Sequence, residues 1–296
     1  MNHEAKRAEP AHGRDLAEDL ALISARLKRR RALGWLAAAG SAVLLDACGG
    51  SSDASGSSST TSTGTTSSDS TTTTTTTSSC VADPQETSGP YPADGTNTSS
   101  AATSDVLTAS GIVRSDIRSS FISSTTVAQG VQLTLTLTLT NTSSSCAVLS
   151  GYAIYLWHCD QSGNYSLYTA PTESYLRGVQ VTDNAGQVTF TTIFPACYSG
   201  RYPHMHLEVF SSLSSATTGR NAVLTTQLAM PSSVCNAVYA NVSGYSASVA
   251  NLAAVSISSD NVFGDNTDAQ ISAETPTISG SVSEGYVGTA TVGIAL

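Results

Sequence analysis

Strict alternation of apolar and polar residues constrains the fold more than any other feature of this sequence. In the segment GVQLTLTLTLTN, residues 130–141, every second position is apolar and the positions between them are glutamine or threonine. Side chains of a β-strand point alternately to its two faces, so this pattern predicts a strand with one buried and one solvated face. The apolar positions are Val131, Leu133, Leu135, Leu137 and Leu139.

Further strands are predicted by short apolar runs that end at turn residues. They are GYAIYLWHC (151–159), the strand–turn–strand segment YLRGVQVTDNAGQVTFTTIF (175–194), HMHLEVF (204–210) and two strands within SGSVSEGYVGTATVGIAL (279–296). Residues 212–262 show a weaker pattern, with a short helix predicted near 245–255. Many short strands joined by Gly, Asn and Asp turns predict an all-β fold, namely an antiparallel β-sandwich. We expect its long loops to carry the active site.

The first 48 residues have the layout of an export signal. Residues 28–31, Lys-Arg-Arg-Arg, precede the apolar run ALGWLAAAGSAVLLDAC (32–48), which is shorter than the ~20 residues that span a bilayer. The paired arginines resemble a twin-arginine signal, and residues 45–48 resemble a lipobox in which Cys48 would carry a lipid anchor. A plain cleaved signal and a short N-terminal anchor helix are the alternatives.

Residues 49–79 are almost wholly Ser, Thr and Gly, and such a segment has too few apolar side chains to fold. We therefore predict an export signal over 1–48, a disordered linker over 49–79 and one folded domain over 80–296. The expected location is the periplasm or the surface of a bacterial cell, with a lipid anchor at Cys48 tethering the domain to a membrane.

Charge and cysteine content narrow the classes of partner. The formal net charge is −9, lysine is absent after residue 48, and no cationic surface is available to bind the phosphates of a nucleic acid. Six cysteines occur, and export favours disulfides. Their pairing and the oligomeric state of the chain cannot be inferred from the sequence.

A histidine pair lies in RYPHMHLEVF, residues 201–210. Positions i and i+2 of a strand share a face, so His204 and His206 project together, with Glu208 on the same face. Such a pair is more often a surface or hydrogen-bonded feature than a metal site. The folded part of the chain has only one other histidine, His158, which we interpret as structural, as we do its neighbour Trp157.

Two tyrosines flank the histidine strand in loops. Tyr198 lies in the loop that leads into this strand, and Tyr165 follows the turn after the Trp157 strand. A phenolate is a hard anionic donor that suits ferric iron, whose charge lowers the pKa of a bound phenol. Two phenolates, two imidazoles and a hydroxide would leave Fe(III) nearly neutral.

The stretches LWHCDQSGNY (156–165) and LRGVQVTDNAGQVTFTTIFPACYSGRYPHMH (176–206) resemble the intradiol ring-cleavage dioxygenases, most closely their exported, single-domain branch. The similarity extends upstream to ETSGPYP (86–92) and downstream to LTTQLAMP (224–231). The combined motif is far more specific than the histidine pair alone.

The resemblance implies a non-haem Fe(III) enzyme that uses O2 to cleave a catecholic ring between its two hydroxylated carbons. The product would be a muconate-type dicarboxylic acid. Tyr198 would also accept a substrate proton, Arg201 would stabilise negative charge on the ring, and Gln227 would bind oxygen or substrate. The implied Fe(III) ligands are Tyr165, Tyr198, His204 and His206.

Three features depart from the family pattern or stay open. A Ser/Thr tether replaces the helical, dimer-forming segment of intracellular members. Cys159 and Cys197 stand beside the ligand loops, where a disulfide would rigidify them. The ring could be catechol, protocatechuate, hydroxyquinol or a larger lignin-like catechol.

We expect Tyr91 to line the entrance and Glu208 to be solvated or ion-paired.

Two other functions are compatible with these residues. The first is a catalytically silent β-sandwich that binds iron or a catechol-bearing ligand at the cell surface. The second is a structural or adhesive domain in which the histidine pair is incidental.

Overall fold

The alternating segment forms the central strand of one sheet in the computed structural model, which describes residues 80–296. The predicted export signal and linker, residues 1–79, lie outside these described residues. Within 80–296 no helix has the length and apolar content needed to cross a membrane. The strands are β1 (Gln132–Asn141), β2 (Ala147–Val148), β3 (Ala153–Trp157), β4 (Arg177–Val181), β5 (Gln187–Ile193), β6 (His204–Phe210), β7 (Leu224–Ala229), β8 (Thr277–Ser281) and β9 (Gly285–Ile294).

The first sheet has the order β2-β1-β9-β8, with β5 also paired to β1. The predicted alternation in β1 is confirmed, because all four leucines of the strand are fully buried and its threonines line the outer face. β5 runs antiparallel to β1, with Gln132 opposite Ile193. β9 runs parallel to β1, with Leu133 opposite Tyr286, so one pair of this mostly antiparallel sandwich is parallel.

The second sheet has the order β4-β3-β6-β7, and all of its pairs are antiparallel. Its inner face packs on the first sheet through residues such as Leu156 and Leu207, which lie opposite each other. The two layers confirm the predicted all-β sandwich. Every residue of β6 is buried, because β6 is a central strand and loops cover its outer face.

Burial of both faces of β6 overturns the expectation for Glu208. This side chain is neither solvated nor ion-paired, since it is buried beside the carboxyl group of Asp94. Burial and the neighbouring Asp94 raise the pKa of Glu208 well above its ordinary value. Glu208 points to the outer face of its strand, and the loop that carries Asp94, which is distant in the sequence, covers it.

Three α-helices lie between β7 and β8 in the described part of the chain, namely α1 (Ser232–Asn241), α2 (Ser246–Ala253) and α3 (Asp268–Glu274). The predicted helix near 245–255 is confirmed as α2, whereas α1 and α3 carry no comparable sequence signal. α3 packs at the β7 edge of the second sheet, where Thr226 of β7 donates a hydrogen bond to Glu274 of α3.

One disulfide joins Cys80 to Cys146, next to the end of β1 at Asn141. Cys159, Cys197 and Cys235 are free and buried, so the disulfide considered for the ligand loops does not form. The loops that carry Tyr165 and Tyr198 lie at the opposite end of the strands. The chain enters this end directly from β5, where Phe194 donates a backbone hydrogen bond to Val131.

Candidate metal centre

A row of four side chains crosses the outer face of the second sheet. Arg177 of β4 lies opposite Trp157 of β3, Trp157 lies opposite His206 of β6, and His206 lies opposite Gln227 of β7. Directly opposed residues on one face of a sheet are in side-chain contact range. The indole of Trp157 stacks on the His206 imidazole, with ring centroids 4.8 Å apart and planes 6° apart.

Both histidines are buried and electrically neutral. His204 Nδ1 lies 2.6 Å from the backbone oxygen of Tyr202, and a carbonyl can only accept, so Nδ1 carries the proton and Nε2 presents a lone pair. Burial and the nearby Arg201 hold the pKa of His204 well below its ordinary value. Burial and the neighbouring His204 hold the pKa of His206 well below its ordinary value as well. Neutral imidazole is the form that binds a metal.

Tyr165 reaches the histidines from the loop after β3. Asp160 shapes this loop, because its carboxylate accepts hydrogen bonds from the backbone of Ser162 and Asn164. Gly163 follows with φ +88°, and a Cβ atom there would lie 3.1 Å from Cβ of Tyr198. Only glycine combines this conformation with so close an approach, so Gly163 lets the two tyrosine loops meet.

The four predicted ligands converge. The Tyr165 hydroxyl lies 3.3 Å from His206 Nε2 and 3.4 Å from His204 Nε2, and the Tyr198 hydroxyl lies 3.1 Å from His204 Nε2. Ligand bonds of about 2.0–2.2 Å to one ion place adjacent donor atoms about 3 Å apart. The spacing of these oxygen and nitrogen atoms therefore fits a single metal ion.

The donor set favours a highly charged, hard cation. In the described part of the chain, no three His, Cys, Asp or Glu side chains converge as a metal site, so a metal at the two histidines would need the phenols. Burial raises the pKa of Tyr165 well above its ordinary value and also raises that of Tyr198. Both phenols are neutral in the protein alone, and a cation with the charge of ferric iron could displace their protons.

Arg201 and Gln227 form a hydrogen-bonded pair beside this cluster. Arg201 Nη2 donates to Gln227 Oε1 over 2.6 Å, and Gln227 Nε2 donates to the backbone oxygen of Thr87 over 2.9 Å. Arg201 Nη1 lies 3.4 Å from His204 Nε2. The structure thus places a buried cation next to the position that a metal would occupy.

The four side chains of the cluster differ in exposure. Tyr198 is half-buried, whereas Tyr165, His204 and His206 are each at most 2% exposed. Tyr91 packs against the buried Tyr165, with ring centroids 4.9 Å apart, and its place at the entrance stays a prediction.

His158 is a structural residue, because both ring nitrogens have partners. His158 Nε2 lies 2.7 Å from the Thr192 hydroxyl, and Nδ1 lies 2.8 Å from the Cys159 backbone oxygen. Trp157 belongs to the core and also supports His206 by stacking.

Three residues that shape the cluster were missed by sequence reasoning. The guanidinium of Arg177 makes five hydrogen bonds to neutral oxygens, which join Tyr91 and Pro92 to Ser166, next to Tyr165. Gly89 has φ +70°, and a Cβ there would lie 3.1 Å from Cε1 of His206. Asp260 binds Arg201 over 2.9 Å. A rare arginine at a strand start was a signal for Arg177, Gly89 lies in the segment ETSGPYP that carries part of the family resemblance, and no sequence pattern pointed to Asp260.

A family model described as Dioxygenase matches residues 119–233, a stretch that contains all six predicted site residues. The intradiol ring-cleavage dioxygenase from Tetranychus urticae has a similar fold, with a TM-score of 0.54 at 24% identity over 73% of this chain and 95% of that chain. A comparison with curated proteins finds no match.

Two further solved structures are more distant. The dioxygenase domain of a dioxygenase carbohydrate-binding protein fusion from Streptomyces sp. SirexAA-E matches 73% of this chain and 99% of its own at 21% identity, with a TM-score of 0.44. Catechol 1,2-dioxygenase from Pseudomonas arvilla C-1 matches 71% of this chain and 61% of its own at 16% identity, with a TM-score of 0.42. The comparisons thus show a match to the Dioxygenase model over residues 119–233 and a sandwich fold like that of the intradiol ring-cleavage dioxygenase from Tetranychus urticae.

Proposed function

We propose that the protein is a non-haem Fe(III)-dependent intradiol dioxygenase. It cleaves a catecholic ring between the two hydroxylated carbons with O2 and releases a muconate-type dicarboxylic acid. The observation that carries this proposal is the convergence of two tyrosine hydroxyls and two histidine Nε2 atoms within 3.1–3.4 Å. The family match over the same residues supports it.

Tyr165, Tyr198, His204 and His206 would hold the metal. Ferric iron, when bound, would supply the charge that keeps both phenols deprotonated and that activates a chelated catecholate toward O2. His206 is held by its stack on Trp157, and His204 by its hydrogen bond to the Tyr202 carbonyl. The carbonyl contact fixes the tautomer that leaves a lone pair on His204 Nε2, whereas the stack fixes only the plane of the His206 ring, whose buried Nδ1 has no hydrogen-bond partner among the described residues.

Tyr198 is suited to handle a substrate proton. It is the one member of the four that is partly exposed, so it lies nearest to solvent. A tyrosinate at this position can take a proton from a substrate hydroxyl, because the two groups have similar pKa values. Tyr165 is buried behind it and has no comparable access.

Arg201 would stabilise negative charge on the bound diol. Its guanidinium is buried in a region of low dielectric, where a charge acts more strongly than in water. Gln227 Oε1 accepts from Arg201 while Gln227 Nε2 is bound to Thr87, so the Gln227 side chain holds Arg201 toward the site. An anionic ring or oxygen would form beside this pair.

Iron loading and oxygen uptake test the proposal. Purified protein loaded with Fe(III) should show a red to burgundy tyrosinate charge-transfer band that shifts when catechol is added without oxygen. Admission of O2 should then consume one equivalent per ring and give a muconate-type acid. Protein that stays colourless after loading would contradict the metal assignment.

Variants separate the roles within the cluster. Tyr165→Phe should lose the band and bind iron weakly, whereas Tyr152→Phe, outside the cluster, should retain both. A coloured protein that shifts with catechols yet consumes no O2 across a panel of rings would instead indicate a binding module. Survival of colour and turnover in Tyr165→Phe would refute its role as a ligand.

We also propose that the domain is exported and held at a membrane through Cys48. The Ser/Thr/Gly composition of residues 49–79 and the disulfide Cys80–Cys146 support this location, because disulfides persist in oxidising compartments. Cys48→Ala should release the protein from the membrane fraction. Equal retention of wild type and variant would refute the anchor.

A further inference from the structure

A buried carboxylate lies behind Arg201, outside the segment that matches the dioxygenase family. Asp260 belongs to the connection between α2 and α3, beyond residue 233, and its side chain is fully buried. Its Oδ2 accepts hydrogen bonds from Arg201 Nε over 2.9 Å and from the Tyr202 backbone over 2.7 Å. Its Oδ1 accepts from the backbone of Val262 and Phe263.

These four bonds make the orientation of the carboxylate rigid. Two backbone amides of the following residues fix Oδ1, so Oδ2 has one direction left, toward Arg201 and Tyr202. The Arg201 guanidinium is planar, and a bond at Nε sets where both of its remaining nitrogens point. One of these nitrogens meets Gln227 at 2.6 Å and the other faces His204 Nε2 at 3.4 Å.

Asp260 also acts on a predicted ligand through one peptide group. The Tyr202 amide that donates to Asp260 belongs to the residue whose carbonyl binds His204 Nδ1. A shift of Tyr202 would therefore move the group that fixes the tautomer of His204. Tyr202 is also held from its far side by Phe263, whose ring lies 6.4 Å away.

We infer that Asp260 is a positioning residue of the dioxygenase site, which orients Arg201 toward the bound diol and anchors the peptide that aligns His204. This inference rests on the proposed function. It gives the α2–α3 connection a direct part in the geometry of the site. The sequence pattern predicts no strand or helix for this connection. Asp260 touches neither the metal position nor the substrate, and it acts through Arg201.

A double-mutant cycle on the full chain tests this action. Arg201→Gln should lower kcat/KM for catechol about 100-fold, because it removes one charge that stabilises the reacting ring. Asp260→Asn should lower it about 30-fold, mainly through kcat. The double variant should lie within about threefold of Arg201→Gln alone, whereas independent roles would multiply to about 3,000-fold. A multiplicative result would overturn the inference.

A second substitution leaves Asp260 intact, in case Asp260→Asn does not fold. Arg201→Lys keeps the positive charge but cannot donate to Asp260 and Gln227 in the forked geometry of arginine. If orientation matters, Arg201→Lys should lose nearly as much kcat/KM as Arg201→Gln. Full activity in Arg201→Lys would show that charge alone suffices and would overturn the inference.

A readout without turnover separates this inference from the proposed function. In iron-free, ¹⁵N-labelled protein, the Arg201 Nε–H resonance should exchange slowly with water, because it is buried against a carboxylate. In Asp260→Asn the same resonance should exchange faster, because its charged acceptor has been removed. Wild type that shows the slow resonance but cleaves no catechol would refute the function and not the placement of Arg201. A fast-exchanging Arg201 Nε–H in wild type would refute the placement itself.

Discussion

Replacement of Glu274 by glutamine should make the stability of the protein less dependent on pH. Glu274 of α3 is fully buried, and its carboxyl oxygens accept hydrogen bonds from the Thr226 hydroxyl over 3.2 Å and the Asn266 amide over 2.8 Å. Burial, together with the carboxyl groups of Glu86 and Asp83, raises its pKa from 4.5 to about 8. Native Glu274 is therefore protonated at neutral pH.

The sign follows from proton linkage. Between pH 4.5 and 8 the native protein keeps a proton that the unfolded chain releases, so the free energy of unfolding falls as pH rises. The contribution of Glu274 is complete below pH 4.5 and is lost by about pH 8. A shift from 4.5 to about 8 corresponds to about 5 kcal/mol, at about 1.4 kcal/mol per pH unit.

Urea unfolding of iron-free protein at pH 5.5, 7.0 and 8.5 measures this slope. Glu274→Gln keeps the shape of the neutral carboxyl, so its free energy of unfolding should fall less between pH 5.5 and 8.5 than that of wild type. Glu284→Gln, in the exposed turn between β8 and β9, provides the control and should follow wild type. Parallel curves for Glu274→Gln and wild type would show that Glu274 ionises without cost and would refute the reasoning.

Three further perturbations have outcomes set by the structure. The Cys80→Ala/Cys146→Ala variant removes the disulfide and opens a loop with a sequence separation of 66, so its free energy of unfolding should fall by about 4 kcal/mol. Denaturant titration measures this loss, and an unchanged midpoint would contradict it. Gly89→Ala adds a Cβ against His206 at φ +70°, so it should cost about 1–2 kcal/mol of stability and weaken iron binding. Gly151→Ala, which has open space at φ +82°, should affect stability alone. Equal iron affinities in the two variants would count against Gly89 as a support of His206. Arg177→Met removes five hydrogen bonds that the guanidinium donates in the interior, and it should lower the free energy of unfolding by about 3 kcal/mol or more. Thermal or chemical unfolding would detect this loss, and an unchanged stability would disprove it.

The strands and the four converging side chains could be predicted because their signals are local. Alternation over residues 131–139 depends only on neighbouring positions, and it specified β1 and its buried face. The i, i+2 relation of His204 and His206 likewise follows from strand geometry alone. The tyrosines at 165 and 198 were candidates from their positions beside these strands, and the resemblance to a family motif made them specific.

The remaining features depend on contacts between distant segments. Glu208 occupies a position that a half-buried strand would leave solvated, and only the loop carrying Asp94 covers it. Asp260 lies 59 residues from Arg201, in a region of weak periodicity, so nothing in the sequence joined the two. Buried polar partners of this kind are selected by three-dimensional proximity, which a linear pattern does not encode.

The disulfide at Cys80 and the partly exposed Tyr198 lie at opposite ends of the sandwich. β1, whose ten residues run from one end to the other, spans about 30 Å. The Debye length at physiological ionic strength is about 8 Å, so the charge of an anionic surface at the Cys80 end would be almost wholly screened at Tyr198. In the proposed membrane-anchored dioxygenase, an anionic diol could then enter, and a dicarboxylate product leave, without electrostatic repulsion from the membrane.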